Sequence, residues 1–179
     1  MRAVSTATRR MKTRIARAAL LVALCLGLAQ SAAPAEADDA VKLGVTTSAT
    51  NAVELSVDEL RALGDTSFAT ATPWTKGTQN FEGITGAQIV AAMQAKGEKL
   101  EAKSVLAVAN NDYSIVIPFE VFNQPTTLIA FAQNGAAMPV RDKGPFWIVF
   151  PYDQDSTFLS SSYQSYSIWG LERLDFQAQ

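Results

Sequence analysis

The sequence predicts a strand-rich α+β fold, and three observations carry that prediction. Short runs in which apolar and polar residues alternate recur along the chain, which is typical of strands. Two Ser/Thr residues each stand three positions before Glu or Gln at the start of an apolar helical pattern, which indicates capped helices. Asn134-Gly135 separates two strand-like runs and predicts a hairpin. No internal repeat or linker interrupts these patterns, so residues 38–179 are predicted to form a single domain.

The first half of this domain begins with strand patterns at residues 41–45 and 52–55. A capping box at Ser56 and Glu59 then predicts a short helix that ends at Gly64. A Thr/Ala/Phe-rich strand follows at residues 66–72, and residues 74–79 are predicted to form a polar turn. Thr85, with Gln88 three positions later, predicts a second capped helix that ends at Gly97.

The second half is predicted to contain mostly strands. Strands at residues 104–108 and 113–117 are joined by the turn-forming residues Asn110-Asn111-Asp112. The hairpin strands are predicted at 127–132 and 136–140. The wholly apolar run at 146–150 predicts a buried strand, residues 155–165 a Ser-rich loop, and residues 166–176 the last strand.

Residues 1–37 have the pattern of a secretory signal peptide. A basic start precedes an apolar run at residues 18–28, and a small-residue segment ends at Ala35-Glu36-Ala37. Met11 is an alternative start, because residues 11–37 form a complete signal by themselves. This pattern predicts a periplasmic or secreted protein with no stable membrane anchor after cleavage.

The composition of residues 38–179 excludes several kinds of chemistry. Nine basic and sixteen acidic side chains give a net charge of −7, which disfavours nucleic acid and anionic membrane surfaces as partners. The chain has no His, and its single Cys, Cys25, lies in the predicted signal. A disulfide, a thiolate nucleophile, a His-based triad and a His/Cys zinc site are therefore excluded, and we name no catalytic residue and no metal ligand.

The segment VRDKGPFWIVFPYDQD, residues 140–155, places charged loops at both ends of a predicted buried strand. Arg141 and Lys143 could clamp a small anionic ligand, since the guanidinium of Arg offers paired donors. The alternative is a solvated connection whose charges pair with one another. Tyr152 and Asp153 follow the strand and are candidate ligand contacts at its other end. Asp153 and Asp155 lack the Gly and Glu spacing of a calcium loop.

Four further residues are candidates for a ligand pocket. Asn111 and Tyr113 could form a polar wall, or they could simply belong to the turn between two strands. Trp74 and Trp169 could form an aromatic platform, or they could pack in the core.

Four segments in a fixed order carry a resemblance to a known family: FEGITGAQIV, ANNDYSIVIP, NGAAMPVRDKGPFWIVFPYDQD and SIWGLERLDF. The chain resembles small secreted proteins of the oxidoreductase molybdopterin-binding domain family, the core fold of sulfite oxidase, from about Val41 to Phe176. The resemblance implies a sulfite oxidase-like fold. In catalytic members, it further implies a cysteine that ligates molybdenum and an Arg-rich pocket for the pterin.

The sequence departs from that family pattern at the metal ligand. The region around Phe68 to Trp74, in SFATATPW, contains no cysteine, and a Thr hydroxyl does not replace a soft thiolate. Ser167 and Ile168 stand where the family usually has Lys and Arg before the late Trp. The resemblance therefore implies the fold more strongly than the redox activity, and molybdopterin is implied by the resemblance alone.

The sequence is compatible with three functions. The first is a periplasmic non-redox module that binds a small ligand and has a sensory or accessory role beside a protein partner in the cell envelope. The second is a molybdopterin-dependent oxidoreductase with a non-cysteine metal environment. The third is a structural interaction scaffold. The cysteine-free mature chain and the retained polar residues favour the first.

Overall fold

The computed structural model describes residues 41–48 and 51–178. The predicted signal peptide at residues 1–37 lies outside the described residues. Within the described ranges, no helix is long and apolar enough to cross a membrane.

The described residues form a strand-rich mixed sheet with a few short helices, so the α+β prediction is confirmed. Seven strands lie side by side in the order β2-β1-β10-β9-β7-β4-β3, while β5 and β6 extend from β10 and β8 pairs with β7. β1 and β10 are parallel, and the other pairs are antiparallel. The strands are β1 (Lys42–Ser48), β2 (Asn51–Ser56), β3 (Thr66–Ala71), β4 (Thr78–Thr85), β5 (Ser104–Ala109), β6 (Ser114–Pro118), β7 (Leu128–Gln133), β8 (Ala136–Ala137), β9 (Phe146–Val149) and β10 (Trp169–Gln177). The helices are α1 (Val57–Leu63), α2 (Gly86–Ala95), α3 (Phe119–Phe122) and α4 (Ser161–Tyr166), with a 3-10 helix at Ser156–Leu159.

Strand β9 lies inside the sheet, between β10 and β7, and all four of its residues are buried. Its side chains alternate between two apolar clusters, as the period of two in a strand requires. Phe146 and Ile148 belong to the larger cluster, and Trp147 and Val149 belong to the smaller one. Burial on both faces explains why this strand is a continuous apolar run.

Both predicted capping boxes are confirmed. At α1, the Ser56 side chain accepts the Glu59 amide at 3.3 Å, and Glu59 Oε2 accepts the Ser56 amide at 2.8 Å. At α2, Thr85 and Gln88 exchange the equivalent bonds at 3.2 and 2.8 Å. The helix starts were predictable because each cap is a contact between residues three positions apart.

One strand in the first half of the domain was missed. The chain is already a strand from Thr78, whereas the sequence predicted a turn as far as residue 79 and no strand before Thr85. This strand, β4, pairs with β3 and β7, and its register with β7 shifts between Glu82 and Gly83. Such a bulge breaks the alternation by which a strand is recognised in a sequence.

Three boundaries were also wrong in the second half. The predicted loop at residues 155–165 contains the 3-10 helix and α4. Because α4 continues to Tyr166, strand β10 begins only at Trp169. The second hairpin strand, β8, is two residues long. It ends shortly before Pro139, which has no amide hydrogen to continue the ladder.

Candidate ligand-binding site

A cavity of about 300 Å³ opens where the β5–β6 turn, the β3–β4 connection, α4 and the start of β10 meet. Four of the eight residues singled out in the sequence line it: Trp74, Asn111, Tyr113 and Trp169. The rest of its lining is Gln164, Ser165, Ser167 and Ile168. No charged side chain is among these lining residues.

All three tryptophans of the chain contact one another at this cavity. The ring centroids of Trp74 and Trp169 are 5.5 Å apart, with an angle of 65° between the ring planes. Trp147 lies 6.1 Å from Trp74 and 6.3 Å from Trp169. Trp147 is fully buried, whereas Trp169 remains 42% exposed. The two candidate tryptophans therefore differ: Trp74 is half-buried and packs against both apolar clusters, whereas Trp169 forms an open wall.

The wall formed by Asn111 and Tyr113 is a tight turn bonded to β10. Asn111 Oδ1 accepts the Tyr113 amide at 3.2 Å, and Asp112 has a φ of 65°. The Asn110 amide donates to the Gly170 carbonyl at 2.8 Å. Gly170 has a φ of 65°, and a Cβ there would lie 2.9 Å from Asn110 Oδ1, so glycine suits this position. These contacts fix the turn beside Trp169.

Ser167 connects the cavity wall to the buried tryptophan. The indole N–H of Trp147 donates to the Ser167 hydroxyl at 3.2 Å, and that hydroxyl donates to the Ile148 carbonyl at 2.6 Å. A buried indole N–H needs such a partner. Ser167 thus holds the segment just before β10 against β9.

Trp74 is held by a polar turn and by Asp153. The Trp74 amide donates to the Thr72 hydroxyl at 3.2 Å, and the Thr72 amide donates to the Thr75 hydroxyl at 3.0 Å. Asp153 Oδ2 accepts the Ala71 amide at 2.7 Å, just before this turn. Asp153 was a candidate ligand contact; the structure places it as a support for the β3 end, outside the cavity lining.

Tyr152, another candidate, lies behind Trp74 at a ring distance of 6.1 Å and is only 3% exposed. No described group bonds its hydroxyl with hydrogen-bond geometry. Burial raises the pKa of Tyr152 to about 12, and Ser167 offsets only part of that rise.

Arg141 and Lys143 lie outside the cavity lining. Arg141 is exposed and makes no ion pair or hydrogen bond with the described residues. Lys143 Nζ pairs with Asp142 at 3.1 Å and lies 5.9 Å from the centroid of the Trp147 ring. The Lys143–Asp142 pair matches the alternative in which charges of this loop pair with one another.

Four lining residues were missed by sequence reasoning, namely Gln164, Ser165, Ser167 and Ile168. The first two lie on α4, which the Ser-rich composition concealed. A signal was present: Tyr163 and Tyr166 are spaced by three residues, and both pack against the core at one face of a helical turn. Ser167 and Ile168 had been noted only as departures from the family pattern.

The side chains at this site do not fit a molybdenum-bound pterin. Thr70 and Thr72, in the region where the family has its cysteine, use their hydroxyls in hydrogen bonds to the Asp153 amide and the Trp74 amide. The lining offers no thiolate for the metal and no cation for the pterin phosphate. In residues 41–48 and 51–178, no three His, Cys, Asp or Glu side chains come together as a metal site would require.

Comparisons with known proteins support the fold at a coarse level. No protein-family model and no curated protein matches the chain. Among solved structures, the chain is similar to the sulfane dehydrogenase SoxCD from Paracoccus pantotrophus, with a TM-score of 0.55 and 15% sequence identity. The match covers 78% of this chain and 38% of that one, so the chain spans well under half the length of this neighbour. The likeness supports an oxidoreductase-like fold and, at this identity, concerns the fold alone.

Proposed function

We propose that this domain is an exported, non-redox module that binds a small organic molecule in the Trp74–Trp169 cavity. In this proposal the fold is sulfite oxidase-like, and the module serves a protein partner in the cell envelope. The order of the four family-like segments and the fold likeness to the sulfane dehydrogenase support the fold. The signal-like residues 1–37 support export.

The observation that carries the proposal is the half-exposed aromatic wall of the cavity. Trp169 and Tyr113 are 42% and 50% exposed, although the same tryptophan cluster has a fully buried member in Trp147. Exposed aromatic rings that surround a concavity and stand beside a few polar groups are typical of small-ligand sites. A packing role alone would favour burial of these rings.

The donor set supports a non-redox role. The threonines near the cavity are engaged in hydrogen bonds, and neither a thiolate nor a charged side chain lines it. A redox site of the family's kind would require a metal ligand and cations for the cofactor.

The test is a small-molecule screen read by tryptophan fluorescence and by thermal shift. All three tryptophans belong to the cluster at the cavity, so a bound ligand should change the emission directly. Ligands found in the screen should bind Trp169→Ala about 30-fold more weakly, because removal of an aromatic anchor costs about 2 kcal/mol of binding.

Val140→Ala is the matched control, since Val140 is 58% exposed and lies outside the lining. It should bind as the wild type does. A screen without ligands, or ligands that bind wild type and a folded Trp169→Ala equally well, would refute the proposed site.

A further inference from the structure

We propose that the ligand class of this cavity is a neutral saccharide of one or two rings. This inference rests on the proposed function and specifies its ligand. Three features of the site carry it: the charge of the lining, the angle between the aromatic walls and the set of unused hydrogen-bonding atoms.

The charge around the cavity favours a neutral ligand. No cation lines it to receive an anion, and Lys143, which lies outside the lining, is paired with Asp142 at 3.1 Å. A cationic ligand would find no carboxylate in the lining. A charged ligand would thus lose water without gaining an opposite charge, and a cation would have only the indole faces to replace that water.

The angle between the two walls favours a ring that is not flat. Trp74 and Trp169 meet at 65° with centroids 5.5 Å apart, so they form a corner. A flat heteroaromatic ring is held best between parallel faces, which this pair does not provide. A puckered sugar ring can place its weakly positive C–H face on one indole and an edge against the other, because the indole face is electron-rich.

The polar lining complements hydroxyl groups, which both donate and accept. Gln164 Nε2 donates to the Leu159 carbonyl at 2.7 Å, which leaves Gln164 Oε1 as an acceptor. Ser165 donates to the Ser161 carbonyl at 2.9 Å, and its oxygen can still accept. Asn111 uses Oδ1 in its turn, so its NH₂ group remains a donor. A saccharide satisfies such a mixture of donors and acceptors.

The size of the cavity limits the ligand. A volume of about 300 Å³ lies at the lower end of the range for small-molecule sites. One or two sugar rings fit within this volume. Any further rings of a longer saccharide would lie outside the cavity.

The experiment compares ligands that share a ring and differ in charge. Glucose, N-acetylglucosamine, cellobiose, maltose and chitobiose are titrated into the mature protein by calorimetry and tryptophan fluorescence. Glucosamine and glucuronate serve as the cationic and anionic counterparts, and choline as a cation without a sugar ring. At least one neutral sugar should bind at least tenfold more tightly than its charged counterpart.

Variants connect that preference to the site. Trp169→Ala should weaken the best sugar by about 30-fold or more, and Val140→Ala should leave its affinity within about twofold. Gln164→Glu adds a carboxylate at the cavity wall. It should therefore reduce the difference in affinity between glucosamine and the neutral sugars.

The outcomes separate the two proposals. If choline, glucuronate or a non-sugar from the screen binds best and loses affinity in Trp169→Ala, the saccharide assignment is overturned and the binding function stands. If no sugar binds, the assignment is likewise overturned. If, in addition, no compound of the screen binds through Trp169, the proposed function is overturned with it.

Discussion

The Tyr152 hydroxyl is a buried polar group beside the tryptophan cluster, with no hydrogen-bond partner among the described residues. Its removal in Tyr152→Phe should change the free energy of unfolding at pH 7 by less than about 1 kcal/mol, because no hydrogen bond is lost. Urea unfolding checks this. A loss of more than about 2 kcal/mol would show that the hydroxyl has a bonding partner.

The same residue should govern stability at alkaline pH. The pKa of Tyr152 is about 12 in the folded protein, above the ordinary value of 10.0 for an unfolded chain. Folding favours the neutral form of Tyr152. The contribution of this side chain to the free energy of unfolding is therefore complete below pH 10 and is lost as the pH rises through about 12. Between pH 9 and pH 11.5, the free energy of unfolding measured with urea should therefore fall more steeply in wild type than in Tyr152→Phe. Parallel profiles would contradict this prediction.

Gly144 has no space for a side chain. A Cβ there would lie 2.0 Å from the Met138 carbonyl oxygen and 2.7 Å from that of Pro139, both backbone atoms. Gly144→Val should therefore destabilise the fold by about 3 kcal/mol, as overpacking does. Lys143→Ala, next to it, removes a surface ion pair and should cost about 1 kcal/mol or less. Equal denaturation midpoints would contradict this contrast.

At the scale of elements, α2 depends on its first residue. Thr85 is buried, bonds the Gln88 amide and is bonded in return by the Gln88 side chain. Thr85→Ala should cost about 1 kcal/mol of unfolding free energy, the usual cost of losing an N-cap. Thr85→Ser should restore most of it, because the hydroxyl is kept. Equal losses in the two variants would show that the methyl group matters and the cap does not.

The elements that the sequence predicted well depend on neighbouring residues. Ser56–Glu59 and Thr85–Gln88 are visible in any short window, because each pair closes within one helical turn. Strand β4 was missed because its identity comes from partners far away: Phe81 lies opposite Phe68 on one side and Gln133 on the other. α4 was missed because its many serines are poor helix formers, and Tyr163 is placed by packing on Phe150 and Phe158.

At the scale of the whole molecule, the site arises from the order of strands in the sheet. β10 runs beside β9 and β5, which brings Trp169 to Trp147 on one side and to the turn that carries Asn111 on the other. A sequence pattern does not specify such pairings, since they join distant parts of the chain. The sequence therefore predicted candidate residues such as Trp74 and Trp169, while their contact had to come from the structure.

The charge balance of the molecule adds context to this site. With a net charge of −7 for residues 38–179, anionic ligands are repelled at long range and need a local cluster of cations to bind. Arg141 was named with Lys143 as a possible clamp for an anion, and its exposed place outside the lining leaves that role a prediction. Its test is Arg141→Ala. If the cavity alone binds the ligand, affinity should remain within about twofold of wild type.

The central claim is that the Trp74–Trp169 cavity carries a small organic ligand and no redox cofactor. Native mass spectrometry of protein recovered from the cell envelope tests it most directly, with wild type and Trp169→Ala compared and molybdenum measured in the same samples. We expect a small-molecule mass increment on wild type that is lost in the variant, with molybdenum far below one atom per chain. Stoichiometric molybdenum with a pterin, or the same increment on both proteins, would contradict it.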